Sequence, residues 1–425
     1  MTEQVLVCTV GGSHQPILTA LRELRPDFVL FLCTGKDPAT GRPGSVSQIT
    51  GKGKPVEQQG DDGTIEKLPN IPTQAGLPAE RFAVREVPAD DLDAAVAIIL
   101  DAIADLLKRF PDAAFVADYT GGTKTMTAAL VMAALESEGV DLQLVTGARE
   151  DLVRVHDGSQ YGFAVGTEGI RLRRAMAPYL SAWARFAYGE AAQGLAELGR
   201  PLDAQLRAEL QIATDLSYAF DAWDRFDHPA AIQRLGPYRS RVGKTHARLL
   251  TFLECLAGTG ENPRRAPARL WDLWLNAQRR ARQGRYDDAV ARVYRLLEWV
   301  AQWLLAGKGI LTANIAHDQI PEGMQITPNR DGKLQAGLVN AWELVAHYVQ
   351  GPAREFAIGE RNRMRNHLLV RNGSILAHGE TPVDGQAWRE LDGWVQETLL
   401  PVLTEESVKV GLRVQPPQLP DSRCW

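Results

Sequence analysis

The chain has 425 residues, which suits two or three domains, because a single hydrophobic core rarely grows to this length. Hydrophobic residues make up 45% and charged residues 23%; these are ordinary globular values, and they exclude a disordered or fibrous protein. The formal net charge of −5 argues against a surface that coats DNA nonspecifically, but it leaves RNA open as a substrate held in a local basic cleft.

The sequence predicts neither a membrane helix nor a signal peptide. No uncharged apolar run approaches the ~20 residues that a membrane helix needs. The first residues lack a basic segment, and the apolar run after them is too short for a signal peptide. The cysteines lack the close paired spacing of a zinc site or a disulfide framework: Cys8, Cys33, Cys255 and Cys424. We therefore expect a reduced, cytoplasmic protein without a metal site.

Residues 1–157 alternate short apolar runs with helical patterns. The predicted strands are 4–10, 27–33, 82–87, 113–117, 141–145 and 152–156. The predicted helices begin near residues 17, 91 and 126. Uniformly apolar strands separated by helices predict an α/β, Rossmann-like domain, in which a largely parallel sheet is covered by helices on both faces.

Two glycine-rich loops follow the first and fourth predicted strands. One is Gly11-Gly12-Ser13, and the other, TGGTK, spans 120–124. In a parallel sheet both loops would lie at the carboxyl edge, where ligands bind. Each opens a helix, whose first N–H groups attract anions, and glycine lets a phosphate approach the backbone. Further donors come from four side chains: Ser13, Thr120, Thr123 and Lys124.

The loops thus predict a site for a phosphate-bearing ligand. The plainer alternative is that the glycines only make tight strand-to-helix turns. Neither loop has the Walker A spacing or the pattern G-x-G-x-x-G, which disfavours ATP hydrolysis and dinucleotide redox chemistry. Residues 36–76, rich in Gly, Pro and Gln, are predicted to be a long surface excursion, either a lid over these loops or a floppy insertion, with the second preferred.

From about residue 170 the strand pattern disappears and helical patterns follow. The clearest helix is 286–305, and others are predicted at 334–349 and 388–402. The segment 258–267, GTGENPRRAP, has the composition of a linker. We therefore divide the chain into four segments: the α/β domain 1–165, an all-α connector 166–267, a second all-α domain 268–408, and a loose tail 409–425.

Residues 371–379, RNGSILAHG, hold side chains that suit RNA cleavage without a metal. Arg371 and His378 are seven residues apart, about two helical turns, so one helix through the segment would place both on one side. Alternatively, the helix begins after Arg371 with Asn372 or Ser374 as its cap, and Arg371 folds back toward His378. By itself, an arginine and a histidine at this spacing is a weak signal, and His378 could equally be an ordinary surface residue.

The chemistry that such a pair would support is attack of a ribose 2′-hydroxyl on the adjacent phosphate. Histidine titrates near neutral pH and can relay the proton. Arginine presents fixed donors to the phosphate oxygens, where negative charge develops in the transition state. The products would be a 2′,3′-cyclic phosphate and a 5′-hydroxyl.

Over most of its length the sequence resembles the CARF–HEPN proteins of type III CRISPR systems. The segments that carry the resemblance are 10–13 with 16–17, 118–124 (DYTGGTK), 284–295 (GRYDDAVARVYR) and 371–379. The ribonuclease motif of that family is an Arg, a polar residue such as Asn, and a His after four to six intervening positions. Arg371, Asn372 and His378 fit it with six positions between Arg and His. The middle helices match only loosely.

The resemblance implies a protein that senses cyclic oligoadenylate with its CARF domain and cuts single-stranded RNA with its HEPN domain. It implies a homodimer, a composite catalytic site with Arg371 and His378 from each protomer, and Asn372 orienting the phosphate or the arginine. The implied ligand-binding residues are Gly11, Gly12, Ser13, Gln15, Thr120, Gly121, Gly122, Thr123 and Lys124. Cyclic tetra-adenylate is the favoured activator, cyclic hexa-adenylate is its rival, and catalysis needs no cofactor.

Two other functions stay open. One is a ring nuclease that cleaves cyclic oligoadenylate in the CARF pocket, with the HEPN half as a scaffold; the presence of Arg371, Asn372 and His378 argues against it. The other is a non-catalytic nucleotide-sensing regulator, which would need a DNA-binding module, and no helix-turn-helix with a basic recognition helix is evident. We therefore expect no specific DNA binding and no membrane partner. A metal nuclease is disfavoured because the C-terminal half lacks a carboxylate cluster around its histidines.

Overall fold

The structure is a computed structural model that describes residues 2–38, 40–59, 64–146, 160–376 and 379–425. The chain divides into two units, Met1–Arg173 and Arg174–Trp425. The predicted strand 152–156 lies outside the described residues. Within the described ranges, no helix is both long enough and apolar enough to cross a membrane.

The first unit contains a sheet, a small hairpin and helices on both faces of the sheet. In chain order its elements are β1 (Gln4–Thr9), α1 (Gln15–Leu24), β2 (Phe28–Cys33), α2 (Ser47–Thr50), β3 (Val56–Gln59), β4 (Ile65–Leu68), α3 (Ile71–Gln74), β5 (Phe82–Glu86), α4 (Leu92–Arg109), β6 (Ala114–Asp118), α5 (Lys124–Glu136), β7 (Val140–Thr146), β8 (Tyr161–Val165) and the start of α6 (Glu168–Ser181).

The large sheet has the order β5-β2-β1-β6-β7-β8. All neighbouring pairs are parallel except β7 and β8, which are antiparallel. After β1 the chain adds β2 and β5 on one side of β1, and then β6, β7 and β8 on the other side. The strand order therefore reverses between β1 and β6, and the carboxyl ends of these two strands form the switch point at which α/β sheets bind ligands.

Successive side chains of β1 enter two different cores. Val5 and Val7 pack in one cluster with α4 and α5, whereas Leu6 and Cys8 pack in the other with α1. This follows from the alternation of side chains along a strand, and it explains why the strand has no polar face. The predicted α/β class with helices on both faces is confirmed. The sequence pattern did not predict strand β8, because most of its side chains are exposed and its apolar pattern is weak.

The described residues of the region 36–76 are folded, so the preferred interpretation as a floppy insertion is wrong for them. They form α2, the β3–β4 hairpin and α3. Ile49, Val56 and Ile71 are buried in the core beneath α1. These three isolated apolar side chains lie too far apart in the sequence to produce a periodic signal, yet together they attach the insertion to the sheet.

The second unit is helical. After the end of α6 come α7 (Tyr188–Glu197), α8 (Ala204–Asp224), α9 (His228–Leu235), α10 (Arg239–Ala257), α11 (Arg265–Arg282), α12 (Tyr286–Ala306), α13 (Leu338–Tyr348), α14 (Pro352–Gly359), α15 (Arg361–Asn372), α16 (Gly385–Trp394) and α17 (Leu400–Lys409). The predicted helix at 388–402 is interrupted by a single π-helical turn between α16 and α17.

One hydrophobic core runs through this whole unit, across the predicted boundary at 258–267. Trp183 and Trp223 before the boundary belong to the same cluster as Trp271 after it. The indole of Trp223 also donates to Asp272 at 3.1 Å. The predicted connector and the predicted second helical domain are therefore packed as one body, and the division between them stays a prediction from the sequence.

The C-terminal residues are packed rather than loose, contrary to the expectation for 409–425. Gln418 accepts a hydrogen bond from Arg279 at 2.7 Å and donates to the Leu275 carbonyl at 3.0 Å. Tyr188 donates to the Pro420 carbonyl at 2.5 Å. The prolines that suggested a tail cannot continue a helix, but an extended segment can still be held by side-chain hydrogen bonds.

Asp224, the last residue of α8, holds two arginines of α11. It accepts a hydrogen bond from Arg279 at 2.6 Å and also pairs with Arg280. The Arg279 side chain is fully buried, and this burial lowers the pKa of its guanidinium. We expect Asp224→Ala to lower the free energy of unfolding by about 3 kcal/mol, since it removes the nearer of the two carboxylates beside the buried Arg279 and leaves Asp272, at 3.6 Å, as the other.

A matched control is Asp221→Ala on the same helix. Asp221 pairs with the exposed Arg225 at 2.8 Å, and such a surface pair contributes about 1 kcal/mol or less. Urea unfolding followed by circular dichroism measures both variants. Equal losses would show that the buried network around Arg279 does not stabilise the unit as described.

Candidate functional site

The two glycine loops meet at the switch point between β1 and β6. A Cβ on Gly11 would lie 2.4 Å from the backbone nitrogen of Gly122, and a Cβ on Gly121 would lie 2.6 Å from the Thr9 carbonyl oxygen. The Thr9 hydroxyl donates to the Gly121 carbonyl at 2.5 Å. Gly122 has φ +89°, which favours glycine. The glycines of the two loops are thus required for the loops to pack against each other.

The threonines of the second loop use their hydroxyls within the protein. Thr123 caps α5 by accepting from the Met126 amide at 3.2 Å, and it donates to the Ala89 carbonyl at 2.7 Å. Thr120 accepts from the Val145 amide at 2.7 Å. Both hydroxyls hold the loop in place. Thr123 already donates its hydroxyl proton to Ala89, so it could donate to a ligand only if that bond broke, and the predicted ligand-binding roles of both threonines stay predictions.

The groups that face solvent at this edge are Gly12, Ser13 and Lys124. All three are exposed, and Lys124 makes no ion pair with any residue that the structure describes. Lys124 is also the first residue of α5, where the helix dipole adds partial positive charge. Helix α1 begins beside Ser13 without a side-chain cap. Two helix N-termini and one lysine therefore present positive potential at the same edge, which suits a polyanionic ligand.

The insertion places two glutamines, Gln48 and Gln58, beside this edge. No pattern in the sequence marked either of them as a site residue. Gln48 of α2 donates to the Gly11 carbonyl at 2.7 Å. The amide nitrogen of Gln15, a predicted ligand residue, lies 3.5 Å from the Gln58 amide oxygen. The insertion therefore lies beside the first glycine loop, as the lid alternative required.

Asp118 and His14 are two further polar residues at the edge, and both are almost fully buried. Asp118 accepts from the Thr120 amide at 2.9 Å and from the Gln143 amide at 3.3 Å. Burial raises the pKa of the Asp118 carboxyl, an effect that these hydrogen bonds partly oppose. A carboxylate at the end of an apolar strand, just before a glycine loop, is the signal that could have identified Asp118 from the sequence.

The predicted catalytic residues Arg371 and Asn372 form the last turn of α15. The helix ends at Asn372, so neither predicted helix arrangement of 371–378 is right. The Arg371 guanidinium donates to the Asn372 side-chain oxygen at 3.1 Å and lies 4.5 Å from the centre of the Tyr294 ring. Tyr294, on α12, was not predicted as a site residue, although it lies in the segment 284–295 that carried the family resemblance.

Asn372 is followed by a tight turn. A Cβ on Gly379 would lie 1.9 Å from the Gly373 carbonyl oxygen, so glycine is required at Gly379. The Gly379 amide donates to the carbonyl of the buried Ser374 at 3.1 Å. The Val383 amide donates to Asp287, near the start of α12, at 3.1 Å. The third predicted catalytic residue, His378, lies outside the described residues.

Helix α15 carries several further cations. Arg361 pairs with Glu343 of α13, and Arg363 lies 3.5 Å from Glu360. Arg365 is exposed and makes no ion pair with a described residue. Two of the four arginines on this helix are therefore paired with carboxylates, whereas Arg371 is held by an amide and an aromatic ring.

The described residues contain no group of three or more His, Cys, Asp or Glu side chains that could hold a metal ion. The described residues of the two predicted sites carry positively charged groups, hydroxyls and amides. Such groups bind and orient phosphate esters directly.

The comparisons with known proteins agree with this architecture. Residues 259–400 match the family model of the Csm6 HEPN domain. The fold is similar to that of Enterococcus italicus Csm6 bound to cyclic hexa-2′-fluoro-hexa-dAMP, with a TM-score of 0.55, 12% identity, and coverage of 97% of this chain and 95% of that one. A weaker match is Can2 from Sulfobacillus thermosulfidooxidans in complex with cyclic tetra-adenylate, with a TM-score of 0.25, 12% identity, and coverage of 58% and 70%. The search of curated proteins gives no match.

The family match covers α11 to the start of α17, and it includes Arg371 and Asn372. The likeness to Csm6 extends over nearly the whole chain and shows a shared fold, an α/β unit followed by a helical unit. Residues 259–400 are therefore a HEPN domain of the Csm6 type, within a chain whose fold is similar to that of Csm6.

Proposed function

We propose that the protein is an endoribonuclease that cleaves single-stranded RNA without a metal ion and is activated by cyclic oligoadenylate. The observation that carries this proposal is Arg371, which donates to Asn372 and lies over the Tyr294 ring at the end of α15 within the matched HEPN region. An arginine fixed in this way offers a positioned fork of donors at the protein surface.

In the reaction, Arg371 binds the non-bridging oxygens of the scissile phosphate and stabilises the charge that develops on them. Asn372 holds the guanidinium from one side, and the Tyr294 ring supports it from below. The ribose 2′-oxygen attacks phosphorus, and the bond to the 5′-oxygen breaks. His378 serves the proton relay, a role that rests on its place in the sequence motif.

A second copy of the chain completes the proposed site. Large apolar side chains next to Arg371 are exposed: Leu369 by 70%, Val370 by 45%, Ile375 by 56% and Leu376 by 54%. Several exposed large apolar side chains within eight residues of chain are typical of an interaction site. We infer that two HEPN domains pack through it, so that each protomer brings Arg371 and His378 to one composite site.

The proposed activator site is the edge formed by Gly11–Ser13 and 120–124. Its two helix N-termini and Lys124 suit the phosphates of a cyclic oligoadenylate. Activation would follow if the ligand shifts the two-fold interface and thereby changes the spacing of catalytic groups across it. We favour cyclic tetra-adenylate over cyclic hexa-adenylate, and the assay at the end of the Discussion compares them.

We further propose that the protein acts in the cytoplasm. Each of its four cysteines lies in the described residues and is a free thiol. Burial raises the pKa of Cys8 and Cys33, to about 12 for Cys33, so these thiols are unreactive core residues. This usage fits a reducing compartment.

The chemistry is tested by incubating the dimeric protein with labelled single-stranded RNA and cyclic tetra-adenylate in EDTA. We expect cleavage that leaves 2′,3′-cyclic phosphate and 5′-hydroxyl ends, and no cleavage by the His378→Ala variant. Products with 5′-phosphate ends, or activity that EDTA removes, would contradict the metal-free mechanism.

A further inference from the structure

His367 lies one helical turn before Arg371 on α15. Residues four apart on a helix are neighbours on one face, with Cβ atoms about 5–6 Å apart. The Arg371 guanidinium contacts Asn372 and the Tyr294 ring, so it has no carboxylate partner among its described contacts and its other donors can bind a phosphate next to this turn. A phosphate bound by Arg371 on this side of the helix would therefore lie beside the imidazole.

The orientation of His367 is fixed by packing. Its ring lies against the indole of Trp394, with centroids 4.8 Å apart and planes inclined by 32°. The indole in turn donates to Glu360, the residue before α15, at 2.8 Å. His367 remains half-buried, so part of its side chain is accessible to solvent. A fixed but accessible imidazole is suited to proton transfer.

The surroundings of His367 favour the neutral imidazole. Its pKa is lowered first by burial and second by the positive charge of Arg363, while Glu390 of α16 and Glu360 oppose the shift. Both lowering effects favour the neutral ring, which has a nitrogen lone pair available. Two other held side chains on α15 cannot accept a proton in this way: Arg361 is paired with Glu343, and the buried Met364 is apolar.

We propose that His367 is a second catalytic histidine, the general base that takes the proton from the ribose 2′-hydroxyl while Arg371 binds the phosphate. This inference rests on the proposed ribonuclease function. The 2′-hydroxyl proton passes to the imidazole as the 2′-oxygen forms its bond to phosphorus. The phosphorus bond to the 5′-oxygen then breaks, and the leaving oxygen receives its proton from the protonated His378. The proton held by His367 is released to water after the products leave.

The test uses His367→Phe in the full-length protein, with activator and labelled single-stranded RNA. Phenylalanine keeps an aromatic ring against Trp394 but has no titratable nitrogen. We expect kcat to fall by about 100-fold or more, the usual contribution of a general base, with KM changed by less than about threefold. In the wild type, kcat declines as the pH falls through the pKa of the base, because a protonated imidazole cannot accept a proton. We expect this acid limb to disappear in the variant.

The control is His347→Phe on α13, whose ring packs at 4.7 Å against the ring of Tyr348 and which is exposed. This variant should keep both kcat and the acid limb. If His367→Phe keeps kcat within twofold of the wild type, or loses activity while the acid limb persists, His367 only packs against Trp394 and the inference is wrong.

Arg371→Ala is measured in parallel to separate this inference from the proposed function. If Arg371→Ala stays active, the proposed function itself fails. If Arg371→Ala is inactive and His367→Phe is active, only the role of His367 as a second catalytic histidine is rejected.

Discussion

Replacing Arg371 with alanine is expected to lower kcat for RNA cleavage by about 100-fold to 1,000-fold, the typical effect of removing one donor that stabilises transition-state charge. The fold should persist, because the substitution removes one hydrogen bond to Asn372 and the interaction with the Tyr294 ring. An exposed cation–π interaction contributes only about 0.5–1 kcal/mol. Steady-state kinetics with labelled single-stranded RNA, together with thermal unfolding, measure both effects.

The matched control for this variant is Arg354→Ala on α14. Arg354 donates to the side-chain oxygen of Gln350 at 3.1 Å, so it has an amide partner at the same distance as Arg371, but it does not belong to the predicted motif. Its loss should leave kcat within about twofold. Similar activities of the two variants would show that Arg371 has no special role in the reaction.

Gly11→Ala is expected to abolish activation by the cyclic ligand. The added Cβ would lie 2.4 Å from the Gly122 backbone nitrogen, a distance that forces the two loops apart. Overpacking of this kind costs about 1–3 kcal/mol of stability. Ligand affinity, measured by isothermal titration calorimetry, should fall at least tenfold, while any ligand-independent RNA cleavage by the HEPN domain should remain.

Gly166→Ala provides the control in the same unit. A Cβ at Gly166 meets nothing within 4 Å, so this variant should bind ligand and respond to it like the wild type. If Gly11→Ala binds the ligand with wild-type affinity, the loop edge is not the sensing site, and the glycines serve only the strand-to-helix turns.

The α/β unit was largely predictable because its strands are continuous apolar runs and each glycine loop follows a strand. That pattern predicted which edge of the sheet holds both loops. It could not predict that Thr120 and Thr123 use their hydroxyls inside the protein, because such bonds depend on carbonyls and amides that are distant in the sequence. The insertion 36–76 was misjudged for a related reason, since its few buried residues are scattered.

The segment 371–379 could be found in the sequence as a motif, but its conformation could not be predicted. The catalytic roles of Arg371 and Asn372 stay predictions, and the end of the helix at Gly373 rules out both predicted arrangements. Tyr294 and Trp394 could not be selected, because each supports its partner from another helix. Periodicity shows which helix faces are buried, but it does not show which faces meet.

The most direct test of the whole account measures kcat/KM for a fluorescent single-stranded RNA in EDTA, with cyclic tetra-adenylate, cyclic hexa-adenylate or no ligand, while chromatography follows the ring. We expect cyclic tetra-adenylate to raise kcat/KM by roughly 5-fold to 150-fold, the usual range of coupling between two sites, and we expect no activation of Arg371→Ala. The account would be contradicted if RNA cleavage were the same with either cyclic ligand as without ligand. Consumption of a cyclic ligand without RNA cleavage would show that the active site lies in the CARF domain.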